Sequence, residues 1–168
     1  MKYYKYDNEE TGIEGAITYI ETEDGVHIRQ ITSNGIEVLA SNVMQPGGQM
    51  WLAEGAIDYD EILDEVTALS KDEFDHVWNA WLATRGTQWQ QTKQIYPIGK
   101  AVEGLIVVFY PQGVIVNLGN EVLGVADYPA CRASTRPENM YTRHKITGII
   151  ENYDEMNQWL VLGSPQVY

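Results

Sequence analysis

A chain of 168 residues that is 44% hydrophobic and 21% charged has the make-up of one ordinary globular domain or two small ones, which excludes a disordered or low-complexity protein. No apolar run approaches the roughly 20 residues of a membrane helix, and the opening "MKYYKYDNEETG" lacks the apolar stretch of a signal peptide, so a cytoplasmic protein without membrane contact is expected. The net charge of -13 is uneven: from Tyr96 onward 5 Lys and Arg face 7 Asp and Glu, which leaves 6 against 17 before it.

The acidic first half reads as a meander of strands. "YYKYD" (residues 3–7), "AITYIETE" (16–23), "VHIRQIT" (26–32) and "IEVLAS" (36–41) alternate β-branched or aromatic residues with polar ones. Between them stand Asp24-Gly25 and Asn34-Gly35, pairs that tolerate the positive φ of two-residue hairpin turns. "QPGGQ" (45–49) reads as a loop and "MWLAEGAID" (50–58) as a further strand. Ser70 followed by Glu73 has the spacing of a capping box, which satisfies backbone donors at a helix start. Phe74, Val77, Trp78, Trp81 and Leu82 then fall on one helical face, the signature of a helix packed on the meander, and Gly86 supplies its stop. The Gln-rich segment 86–98 lacks periodicity and reads as a connector, with the boundary between two domains, 1–95 and 96–168, near Ile95.

Five short strands follow: "AVEGLIVVFY" (101–110), "GVIVNLG" (113–119), "VLGVADY" (122–128), "HKITGIIENYD" (144–154) and "QWLVLGS" (158–164). Gly104 and Gly148 interrupt apolar runs, as glycine does where a strand coils tightly or another backbone comes close, so a closed barrel is expected. The residues Gly99, Val102, Gly104, Ile106, Gly113, Val114 and Val116, then Val122, Leu123, Gly124 and Val125, then Asp154 leading through Trp159 to Leu160 and Leu162, resemble the S-one type RNA-binding repeat of ribosomal proteins, an OB-fold family. The resemblance covers the last 70 or so residues and implies a five-stranded OB-like barrel that holds RNA across its second and third strands. Where the family carries stacking aromatics and a histidine, this chain has Gln112, Ile115 and Asp127. Tyr110, Tyr128 and Tyr141 are candidate replacements.

The connection after Tyr128 concentrates the basic residues: Arg132, Arg136, Arg143, His144 and Lys145, beside Tyr141. Arg and Lys neutralise phosphate while Tyr can stack, so this loop is the candidate nucleic-acid site. The competing expectation is a solvated loop whose arginines pair with the carboxylates of the first half.

Other constellations lack parts. Glu73 and His76 make a single Glu-x-x-His step where a di-metal bundle needs ligands from four helices. The acidic run "DYDEILDE" (58–65) starts like a calcium loop but places Leu63 where the turn glycine belongs and Leu69 where the bidentate acid belongs. The single cysteine, Cys131, can form no internal disulfide and no multi-thiolate zinc site, and no residue is marked as orienting group or oxyanion pocket for a Cys131–His144 pair. Gly47 and Gly48 fit no phosphate-binding pattern. No enzyme, cofactor or metal is therefore expected.

The fold class expected is α+β: an N-terminal antiparallel β-meander with one amphipathic helix, followed by a five-stranded OB-like β-barrel. Two functions stay open. One is binding of RNA or single-stranded nucleic acid through Tyr110, Tyr128, Arg132, Arg136, Tyr141, Arg143 and Lys145. The other is a protein-interaction module, of inhibitor or immunity type, whose Asp58, Asp60, Glu61, Asp64 and Glu65 capture a basic protein partner.

Overall fold

Period-two alternation in the first half produces an antiparallel meander, and a computed structural model of the chain, describing every residue but Leu63, shows how it pairs. Strands β1 (Lys2–Asp7), β2 (Ile17–Glu23), β3 (Val26–Ser33), β4 (Val38–Ala40) and β5 (Thr67–Leu69) form one sheet in the order β4-β3-β2-β1-β5. Asp24 and Gly25 both have positive φ, 49° and 80°, and close the β2–β3 hairpin in two residues, as expected. The next hairpin differs. Its loop is four residues long, between Ser33 and Val38, because Asn34 uses its side-chain oxygen to accept from the amides of Ile36 (3.0 Å) and Glu37 (2.9 Å).

Alternation sends the two sides of this sheet to different partners. On one side Ile31 and Ala40 pack with Phe74 and Trp78 of α1 (Lys71–Thr84). That helix starts where the capping box predicts: the Ser70 amide donates to the Glu73 carboxylate (2.8 Å) and the Glu73 amide to the Ser70 hydroxyl (3.2 Å). Arg29 lies buried under it, bonded through its Nη2 to Glu21 (3.0 Å) and Asp75 (3.3 Å), with its guanidinium 4.9 Å from the centre of the Phe74 ring. On the other side Tyr4 and Ile20 pack with Tyr59 and Val66. The expected strand at 50–58 is absent. Its backbone and side chains bond groups on the sheet instead, Trp51 to the Thr32 hydroxyl (3.0 Å), Ala53 to the Gln30 amide oxygen (3.2 Å) and Ile57 to the Gly25 carbonyl (3.0 Å).

The chain divides into two compact units, Met1–Ala83 and Thr84–Tyr168. The second opens with α2 (Gly86–Ile95), so the segment expected as a connector is helix and the expected boundary near Ile95 falls at that helix's end. Gly86 does not stop α1 by ending helical structure; it begins α2. Trp89 anchors α2 in the core of this unit, a single large apolar residue that leaves almost no periodic trace in ten positions.

Strands β6 (Ala101–Tyr110), β7 (Gly113–Asn117), β8 (Leu123–Ala126), β9 (Lys145–Asp154) and β10 (Trp159–Val167) then form a closed barrel in the order β10-β8-β7-β6-β9, as expected. β8 and β10 are the parallel pair, and all other neighbours are antiparallel. Its core holds Ile106, Val114, Val116, Ile146, Ile150, Leu160 and Leu162. Gly104 is required where β6 meets β7, since a Cβ there would sit 2.4 Å from the Asn117 carbonyl oxygen. Between β8 and β9 runs α3 (Tyr128–Ala133), capped by the Asp127 carboxylate, which accepts from the Ala130 amide (2.9 Å).

Candidate nucleic-acid interface

The segment between α3 and β9 has few apolar residues with which to enter the core, so it lies on the surface held by polar ties. Ser134 bridges it to β10, donating to the Cys131 carbonyl (2.7 Å) and accepting from the Val167 amide (3.1 Å). Asn139 donates to the Thr135 hydroxyl (2.8 Å). Further on, the Arg143 amide donates to the Ile106 carbonyl (2.7 Å) and the Ile106 amide to the His144 carbonyl (2.9 Å), which fixes Arg143 against β6 with a left-handed φ of 71°. His144 also bonds the Tyr168 carbonyl through Nδ1 (2.9 Å).

This scaffold leaves the basic groups facing water. Arg132, Arg136, Arg143 and Lys145 are all exposed, and Tyr141 is 63% exposed. Arg136 makes a long local ion pair with Glu138 (4.0 Å), its one ion pair among the described residues, and Lys145 pairs with Glu103 across the β6–β9 ladder (3.2 Å). Among the described residues Arg132 and Arg143 form no ion pair. Four of the other cations are committed: Lys2 to Asp60, Arg29 to Glu21, Lys71 to Asp75 and Lys93 to Glu155.

The aromatic residues divide. Tyr128 is 41% exposed and stands edge-on to Phe109, itself 36% exposed, with ring centres 5.9 Å apart and planes at 83°. Tyr110 belongs elsewhere. Its ring lies 6.3 Å from buried Trp159, and its hydroxyl is buried without a hydrogen-bond partner, which pushes its ionisation up. Tyr110 is half-buried, and Phe109, which sequence reasoning passed over inside the run "VVFY", is the more exposed ring of the two.

The face that the family resemblance assigns to RNA is not open here. Every residue from Gly113 to Val116 and from Leu123 to Ala126 is buried, and Ile115 is 0% exposed. Asp127, near the place where the resemblance would put a histidine, is occupied as the cap of α3. Cys131 is buried with its thiol pushed up to about 11 by burial and by Asp127, so it holds no thiolate at neutral pH.

In the first unit Asp58, Asp60, Glu61, Asp64 and Glu65 are exposed around a short helical turn, Tyr59–Ile62; Leu63 lies outside the described residues. Asp60 is tied to Lys2 and accepts from the Tyr4 hydroxyl (2.9 Å), and these bonds hold its carboxyl below the usual range. Tyr59 anchors the run, its hydroxyl bonded to buried His27 Nε2 (2.8 Å). Glu73 serves the α1 cap and His76 is exposed beside it. Comparison of the chain with protein-family models, with curated proteins and with solved structures finds no match.

Proposed function

We propose that this protein binds RNA or single-stranded nucleic acid through the barrel unit, with the 128–145 segment as the contact surface. The observation that carries the reading is the exposed set Arg132, Arg136 and Arg143, local to one loop and largely unpaired, beside exposed Tyr128 and Tyr141 in a chain whose net charge is -13. The strand order, the parallel β8–β10 pair and a helix between β8 and β9 support an OB-type barrel of the kind that the S-one resemblance implies. Guanidinium groups left without protein partners gain by neutralising phosphate and releasing its counterions.

Fluorescence anisotropy of a labelled 12-nucleotide single strand tests this. Three or four phosphate contacts predict a weakening of about 20- to 50-fold between 50 and 200 mM salt, from a slope of about 0.7 per contact. Replacing Arg132, Arg136 and Arg143 together by Ala removes most of that slope. Absence of binding at 50 mM salt, or binding that the triple variant retains in full, refutes the reading.

A second reading rests on the acidic run: Asp58, Glu61, Asp64 and Glu65 are exposed and, among the described residues, form no ion pair, as a surface that attracts a basic protein would be. Binding of a basic polypeptide that survives replacement of these four by Asn and Gln would eliminate it.

A further inference from the structure

Besides Tyr141, two exposed rings, Phe109 and Tyr128, meet at the surface of the barrel unit. Phe109 is fixed in β6 opposite core residue Val114, and Tyr128 begins α3, whose Cys131 is buried in the same core. Their planes meet at 83° with centres 5.9 Å apart, so they form the two walls of a corner rather than a closed stack. A flat heterocycle can lie against the face of one ring while its edge meets the other, an arrangement that a paired base inside a duplex cannot reach. Arg132 follows Tyr128 by one helical turn and therefore shares its face of α3; it is exposed and unpaired among the described residues. An exposed guanidinium thus lies on the same helical face as one wall of the corner.

We infer that Phe109 and Tyr128 form a subsite for one unpaired base whose phosphate is taken by Arg132. This inference rests on the nucleic-acid reading and moves the base contact away from the β7–β8 face, where buried Ile115 and the capping role of Asp127 leave nothing to stack on. Phe109 is then a ligand-contacting residue, and single strands are preferred because only they can deliver a base into the corner.

The test uses an eight-nucleotide single strand carrying one 2-aminopurine, whose emission is quenched when the base stacks. Wild type is expected to bind and to quench it. The variant Phe109→Leu with Tyr128→Leu keeps apolar bulk at both positions and is expected to lose the quenching and about 5- to 100-fold in affinity, with the salt slope unchanged. Arg132→Ala is expected to lower the salt slope by about 0.7 and to keep the quenching at saturation. If wild type binds and the double variant quenches equally well, the subsite is wrong and the basic-loop reading stands. If wild type binds no strand at 50 mM salt, both fall. A readout that needs no variant is titration of wild type with adenosine monophosphate, which should shift the ring proton signals of Phe109 and Tyr128; unshifted signals at millimolar nucleotide overturn the subsite.

Discussion

Replacing Gly104 by Ala tests whether close approach of strands, and not merely apolar content, closes the barrel. A Cβ at this position would lie 2.4 Å from the Asn117 carbonyl oxygen, 2.7 Å from Val116 Cγ1 and 3.0 Å from Leu118 Cδ2. The nearest obstacle is backbone in the strand that pairs with β6, so no rotamer change relieves it. Restoring even the shortest contact found for real Cβ atoms, 3.0 Å, requires β6 and β7 to part locally by about 0.6 Å, against the ladder that holds them. Overpacking that side chains can absorb costs about 1–3 kcal/mol. With a backbone oxygen as the obstacle we expect about 3 kcal/mol, which lowers the melting temperature of a unit this size by about 12–24 °C. Gly86→Ala is the matched control. Nothing lies within 4 Å of a Cβ there, and the residue opens a helix, so the variant should be neutral or about 0.5 kcal/mol more stable. Calorimetry gives the two melting temperatures, and hydrogen exchange of the β6 and β7 amides localises the effect. A Gly104→Ala protein that melts within about 3 °C of wild type, with those amides equally protected, would show that the barrel does not need this approach.

Three further outcomes follow from the first unit. Glu21→Gln breaks a pair whose side chains are 6% and 4% exposed and leaves Arg29 with Asp75 alone, so urea unfolding should show a loss of about 3 kcal/mol, whereas Glu21→Leu with Arg29→Met should recover most of it. Ser70→Ala removes the hydroxyl that accepts from the Glu73 amide and should cost about 1 kcal/mol, seen as faster exchange in the first turn of α1. Burial holds His27 below its ordinary pKa, while the unfolded chain takes up a proton near pH 6.5, so the unfolded state binds more protons below that value. Stability should therefore be complete above about pH 6.5 and fall as the pH drops toward 5, by up to about 1.4 kcal/mol per pH unit. His27→Gln should flatten urea midpoints over that interval, and a slope identical to wild type would place the titration elsewhere.

How much of this molecule can be read without coordinates depends on how far each signal reaches along the chain. The β2–β3 turn, the α1 capping box and the limits of β6 depend on residues within a few positions, and "AVEGLIVVFY" corresponds to β6 residue for residue. Segment 50–58 misled because its composition suits a strand while its polar groups are satisfied by side chains of β3. Helix α2 escaped because one buried tryptophan supplies most of its packing, and a single anchor has no period. The candidate site shows the same division. Sequence alone located the basic residues, since charge is a property of the residue itself. How far each aromatic faces solvent was decided by tertiary packing: Tyr110 lies against Trp159, 49 residues beyond it, and is half-buried, while Phe109 meets Tyr128, 19 residues beyond it, at the surface. A closed barrel was expected from the five short strands and their interrupting glycines, but which strands pair, with β10 parallel to β8 and β9 returned to β6, was set by contacts between distant segments, because exposure and pairing are properties of what a residue meets and not of the residues beside it.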